Sequence, residues 1–284
     1  MKQLLLISIF FCSMLQVTAQ KKQAYQIFDA KGKKVSYEKM LKKLKEKDIV
    51  LFGEFHNNPI IHWLQLEVTQ DLGKTRNLIL GAEMFEADNQ TALSQFVNGE
   101  IDDKQLAKDA RLWKNYPTDY APLVKYAKTN KLVFVATNIP RIYASRVAKG
   151  GFEVLDTLPE NQKMWIAPLP VAYDAELPGY KNMLKMMGEH ATENLPKAQA
   201  IKDATMAHFI IKNYKEGSLF LHYNGSYHSD NYEGILWYLK KAQPGLKYGT
   251  IAAVSQKAVN KLEAEYKGKA DFIICVDEDM TTTY

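Results

Sequence analysis

The chain has 284 residues, 46% of them hydrophobic and 24% charged, the balance of a globular protein long enough for a sizeable core. Its 37 basic and 32 acidic side chains leave a net charge of +5 with no dense Lys/Arg tract, which argues against a nucleic-acid partner. Of its two cysteines, Cys12 falls in a leader and only Cys275 in the body, which excludes an intramolecular disulfide, a cysteine-rich zinc site and a c-type haem attachment.

In chain order, Lys2, the apolar run over 4–11 and Val17-Thr18-Ala19 predict a secretory signal over 1–19, cleaved after Ala19. The run is too short for a membrane span, and bulky Phe11 makes Cys12 a poor lipidation site. The expected location is therefore periplasmic or cell-envelope associated. Residues 20–35 read as a basic, loosely held arm, and 36–284 as a single α/β domain. Ser36 caps a helix with Tyr37, Met40, Leu41 and Leu44 at helical spacing. A buried strand over 49–52 stops at Gly53, and Glu54 and His56 follow at once. Asn58 and Pro59 then open a helix with Ile61, Leu64 and Val68 on its inner face.

A second apolar run over 77–82 ends in Glu83, and helical pieces fill 88–128, one stopped by Asn98-Gly99 and another started by Asp119 ahead of Pro122. The run over 131–137 ends at Asn138, with Pro140 opening the next helix and Gly150-Gly151 closing it. Between about 151 and 195, Pro159, Pro168, Pro170 and Pro178 break the pattern, as in an inserted helical portion or lid. Pro196 begins a long helix to about Tyr214. A strand over 218–223 leads into Asn224-Gly225-Ser226-Tyr227-His228, and a helix through Ile235, Leu236 and Leu239 follows. Runs over 248–254 and 271–276 complete the strands, the last holding Cys275 as a buried, inert thiol. Strands alternating with helices predict an α/β fold, a mainly parallel sheet with helices on both faces.

In such a sheet the carboxyl ends of the strands share one edge, where ligands bind. Glu54 with His56, Glu83, Asn138 and His228 all fall there. Two Gly-x-x-His units, 53–56 and 225–228, use glycine to end the strand and turn the backbone. His56, His228 and Glu54 form a sufficient ligand set for zinc or a similar divalent ion. The plainer alternative is that either histidine caps a helix or satisfies buried carbonyls.

The Gly-Glu-x-His unit, Ala82-Glu83-Met84-Phe85, Trp113-x-x-Tyr116, Asn138 with Pro140-Arg141, Ala198-Gln199 with Lys202-Asp203 and Met206-Ala207, and Asn224-Gly225-x-x-His228 resemble the ChaN-like haem-binding proteins. The likeness runs from about Asp48 to Val276. That family looks related to erythromycin esterases and to the Tiki proteases. The resemblance implies a protein of the cell envelope that binds b-type haem non-covalently for iron acquisition or storage. It also implies a tyrosine on the iron, a homodimer enclosing the cofactor in some members, and an outer-membrane haem uptake receptor as partner. The rival it implies is a metal-dependent hydrolase with Glu54 or Glu83 as general base.

Phenolate suits ferric haem. Tyr143 lies one turn into the helix after Asn138, with Arg141 and Arg146 near enough in sequence for propionates, although an ordinary half-buried helix tyrosine is the favoured explanation. Tyr173, Tyr180, Met183, Met186, Met187 and His190 make a second aromatic and methionine-rich candidate, much of which a plain helical stripe explains. From this group Tyr180 and His190 are kept as cofactor contacts. Gln199 and Asp203 share a helix face, from which Asp203 can orient a histidine. His62 with Gln65 is a similar pair, and His208 and His222 read as core histidines.

Overall fold

Strands β1 (Tyr25–Asp29), β2 (Ile49–Glu54), β3 (Leu78–Glu86), β4 (Val133–Asn138), β5 (Leu219–Gly225), β6 (Tyr248–Gln256) and β7 (Phe272–Asp277) form one sheet. Its order is β1-β7-β6-β2-β5-β3-β4, and every pairing is parallel except β1 with β7. The computed structural model describes residues 22–188 and 192–284, so the expected signal over 1–19 and His190 lie outside the described residues.

The alternation of strand side chains divides the core in two. Val50 and Phe52 of β2 face a layer made by α1 (Tyr37–Leu44), α2 (Pro59–Gly73), α3 (Gln90–Asn98), the short α4 (Asp103–Asp109) and α5 (Ala121–Asn130). Ile49 and Leu51 face α9 (Asn194–Asn213) and α10 (Ile235–Ala242) on the other side. The sequence specifies the helix starts locally. Ser36 Oγ accepts from the Lys39 N–H, and Asn58 Oδ1 from Ile60 and Ile61, caps worth about 1 kcal/mol each.

The segment read as a loose basic arm is partly structured. Tyr25–Asp29 pairs antiparallel with β7, Ile27 and Phe28 are buried, and its lysines flank the strand. α6 (Arg141–Gly150) follows β4. Over 151–195 the chain adds the four-residue α7 (Glu160–Lys163) and α8 (Pro178–Met187) and no strand among the described residues. Val147, Leu155 and Ile166 pack there with Ile201 of α9 in a satellite core.

At the outer edge of β4 the side-chain amide of Gln90 donates to Phe134 O at 3.0 Å and accepts from the Ala136 N–H at 2.7 Å. One side chain thus fills the bonding positions of a missing strand. Among the described residues no helix is long and apolar enough to cross a membrane.

Candidate functional site

β2, β5, β3 and β4 are sheet neighbours and run parallel, so Glu54, Gly225, Glu83 and Asn138 emerge at one edge. Both glycines of the repeated motif are required by close approach rather than by φ. A Cβ on Gly53 would lie 2.8 Å from the Ile251 carbonyl oxygen and 3.0 Å from Ser226 Cα. A Cβ on Gly225 would lie 2.8 Å from Cε1 and 3.0 Å from Nε2 of His56, with Glu83 Oε2 at 3.5 Å. The His56 ring therefore lies over the second motif's glycine, and the two motifs meet.

Glu54 is buried and takes donors on both oxygens. His56 Nδ1 reaches Oε1 at 2.9 Å and the Tyr120 hydroxyl donates to Oε1 at 2.7 Å, while Gln65 donates to Oε2. A carboxylate only accepts, so His56 carries its proton on Nδ1 toward Glu54 and turns its other edge to Gly225 and Glu83. Burial pulls the His56 pKa down, but the bond to Glu54 and the charges of Glu83 and Glu54 outweigh it and leave it raised. The ring packs edge-on against Trp113, centroids 4.9 Å apart. His62 spans Gln65 Oε1 at 3.0 Å and the His56 carbonyl at 3.1 Å, so it braces the loop behind the cleft. Asn115 Nδ2 donates to that same carbonyl and to Asp119 Oδ2, both at 2.7 Å.

His228 is buried between two carboxylates. Its Nδ1 lies 2.5 Å from Asp203 Oδ1, its Nε2 3.2 Å from Glu83 Oε1, and the Gln199 amide stands 2.9 Å from Nδ1. Each nitrogen faces a carboxylate oxygen and donates to it, so the ring is an imidazolium, and the Gln199 amide nitrogen beside Nδ1 makes no bond to it. Burial opposes that charge, yet Glu83 and Asp203 outweigh it and raise the pKa to about 10. Glu83 is held well below the carboxylate range: burial pushes it up, and His228, His56 and the Gly225 N–H at 2.7 Å more than reverse this. Asp203 is pushed up by burial against the pull of His228.

In front of these groups lies an open cleft of about 690 Å³. Trp113 and Leu112 give it apolar side chains, with Ile139 buried behind, and Lys114, Lys202 and Arg141 line it with cations. Arg141 pairs with Glu86, which also accepts from Arg111 Nε at 2.8 Å. Asn138 Oδ1, in the cleft wall, is buried with no hydrogen-bond partner. Tyr284, 64% exposed, borders this cleft and a second one of about 630 Å³ on the other side of His56. Thr283 holds the tail there, its N–H on Asn57 O at 3.0 Å and its hydroxyl on Asp119 Oδ2 at 2.7 Å.

The sequence expectations divide at this point. Glu54, His56, Glu83, Asn138, Gln199, Asp203 and His228 come together. Tyr143 does not: it is buried in the satellite core and its hydroxyl donates to Gln162 at 2.9 Å. Tyr180 is 4% exposed, stacked on Tyr173, and borders a separate chamber. Arg146 turns to Thr157. The zinc set of Glu54, His56 and His228 is not assembled: both Glu54 oxygens are taken by His56, Tyr120 and Gln65, and both His228 nitrogens by Glu83 and Asp203. Among the described residues no group of three or more His, Cys, Asp or Glu is arranged to hold a metal ion. His222 is buried, bonded to Thr137 and Asn224, and burial lowers its pKa to about 4. Burial pushes the Cys275 thiol up to about 12. Asp119 caps no helix and serves Asn115 and Thr283 instead. Sequence reasoning missed Tyr120, Glu86 and Arg111, whose partners lie far along the chain, and Tyr284, which borders the cleft from the tail.

A family model described as haem-binding uptake, Tiki superfamily, ChaN matches residues 40–239. A search of curated proteins by sequence returned no match. Among solved structures, one described as cofacial heme binding to ChaN of Campylobacter jejuni is similar with a TM-score of 0.66 and 19% identity, over 89% of this chain and 97% of that one. An erythromycin esterase variant in its open conformation is similar with a TM-score of 0.51 and 10% identity, over 91% and 98%. A Bacillus cereus protein reaches 0.50 at 10% identity, over 84% and 90%. At these identities the structural likenesses show a shared fold.

Proposed function

The chain belongs to the haem-binding uptake family of the Tiki superfamily, the ChaN family, and from that membership we propose that it binds haem as cargo in the cell envelope, for iron acquisition or storage. The observation that carries this reading is the make-up of the cleft. Trp113 and Leu112 offer apolar side chains, and Arg141, Lys114 and Lys202 offer cations. That pairing fits a flat apolar body with an anionic edge, which is the chemistry of a porphyrin with two propionates. The orphaned Asn138 Oδ1 marks a wall with an unmet bond. Tyr284 supplies the exposed phenol that ferric iron accepts, which buried Tyr143 and Tyr180 do not. Export by the signal that the residues over 1–19 predict, a homodimer and an outer-membrane uptake receptor complete the proposal.

Titration of the protein with ferric haemin tests it. The expected result is saturation at fixed stoichiometry with a tyrosinate-type spectrum that Tyr284→Phe abolishes and Tyr143→Phe leaves alone. Absence of saturable binding overturns the haem reading.

One observation favours a second reading, a hydrolase. Glu54 fixes the His56 tautomer and leaves the other ring edge beside Glu83 in an open cleft, which is the arrangement of an oriented general base. Ester hydrolysis lost in both His56→Ala and Glu54→Gln, with folding intact, would support it.

A further inference from the structure

Segment 281–284, which follows β7, crosses the mouth of the site with little support of its own. It forms no helix or strand, and Thr281, Thr282 and Tyr284 are exposed. Thr282 Oγ1 donates to the Tyr284 carbonyl at 3.0 Å inside the segment. Among the described residues only half-buried Thr283 bonds the segment to the rest of the chain. The segment is therefore held by a polar latch and not by apolar burial, and one side chain decides how firmly it stays.

The two bonds of Thr283 end on the two walls that frame His56. Its N–H donates to Asn57 O at 3.0 Å, on the turn after β2, and its hydroxyl donates to Asp119 Oδ2 at 2.7 Å. Asp119 is buried in the irregular turn Tyr116–Tyr120, whose Tyr120 donates to Glu54. Asn115 joins the two walls, with one amide proton on His56 O and the other on Asp119 Oδ2, both at 2.7 Å. The bonds thus close a ring through His56 O, Asn115, Asp119, Thr283 and Asn57 O. A side chain in such a ring holds both walls at once, so its loss loosens each.

Neighbours along the chain give this ring its reach. Asn57 follows His56 and Thr283 precedes Tyr284, so the bond between Asn57 and Thr283 ties together the backbones that carry two side chains of the site. His56 and Tyr284 both border the cleft of about 690 Å³ and the one of about 630 Å³, and so stand together between them.

We propose that Thr283 is a positioning residue: through Asn57 O and Asp119 it fixes the Tyr284 phenol relative to His56 where the two clefts meet. For its ligand the inference rests on the haem reading, in which Tyr284 reaches the iron. Groups that orient a metal-bound side chain change metal affinity without touching the metal.

Thr283→Val keeps the shape of the side chain and removes the hydroxyl, whereas Thr283→Ser keeps the hydroxyl. Thr283 lies outside the core, so both variants should fold. In haemin titration of the full chain, Thr283→Val should bind about tenfold more weakly with its tyrosinate band diminished, and Thr283→Ser should restore affinity and band. A merely structural role would move neither the band nor its rescue. In ligand-free protein, amide exchange over 278–284 read by mass spectrometry should be several-fold faster in Thr283→Val and return to the parent rate in Thr283→Ser. A parent that takes up no haemin overturns the haem reading alone, and the exchange rates then decide the latch. Parent-like affinity and spectrum in Thr283→Val, no rescue by Thr283→Ser, or equal exchange in all three proteins overturns the proposal.

Discussion

The two Gly-x-x-His motifs share a spacing and end in different places. His56 keeps 37% of its side chain exposed and leans on one carboxylate, while His228 keeps 8% and is clamped between two. Both follow a strand of the same sheet, but His56 lies in a turn after β2 has run on to Glu54, and His228 ends a short 3-10 helix that begins directly after Gly225. The neighbours differ as well: Trp113 and a cleft stand beside His56, whereas α9 brings Asp203 and Gln199 over His228. One histidine thus faces an open cleft, and the other is a buried cation that ties α9 to β3.

The largest expected effect sharpens that contrast. His228→Ala leaves Glu83 and Asp203 facing each other without a counter-charge and should cost about 3–5 kcal/mol in denaturant unfolding. His56→Ala leaves Glu54 with the Tyr120 and Gln65 donors and should cost about 1 kcal/mol. Equal losses would break the comparison.

The glycines come next. Gly53→Ala drives a Cβ into the backbone of Ile251 and Ser226, which cannot yield, and should cost about 3 kcal/mol. Gly225→Ala meets the His56 ring, which can swing away, so its stability loss should be smaller and its haemin binding altered.

The histidines also separate by pH. His228 has a folded pKa of about 10 against 6.5 unfolded, so its contribution is complete below 6.5 and is lost as pH rises through 10. His222 runs the other way. With a folded pKa of about 4, it favours the native state above 6.5 and costs stability as pH falls from 6.5 toward 4. Urea midpoints across pH should show the alkaline slope vanish in His228→Gln.

The smallest effect is Tyr143→Phe, which removes the bond to Gln162 and should cost about 1 kcal/mol without changing the haemin spectrum.

What could be read from sequence was what depends on neighbours along the chain. Apolar runs ended by Gly53 or Asn138 marked the strands, and the four-residue step from Gln199 to Asp203 marked one helix face. The Tyr120 hydroxyl reaches Glu54 across 66 positions, and no local pattern records that contact. β1 was hidden for a related reason: its five residues sit among lysines, and pairing with distant β7 makes them a strand. Tyr143 had a suitable position in its helix, but the satellite core claims that face.

The amide of Gln90, seated on Phe134 O and Ala136 N, has a consequence for how molecules of this protein can associate. A second chain adding a strand to β4 must first evict that amide and break two hydrogen bonds already made. Fibre-like growth from this edge therefore starts at a loss. Any association on this side of the sheet has to use helices and loops instead of strand pairing.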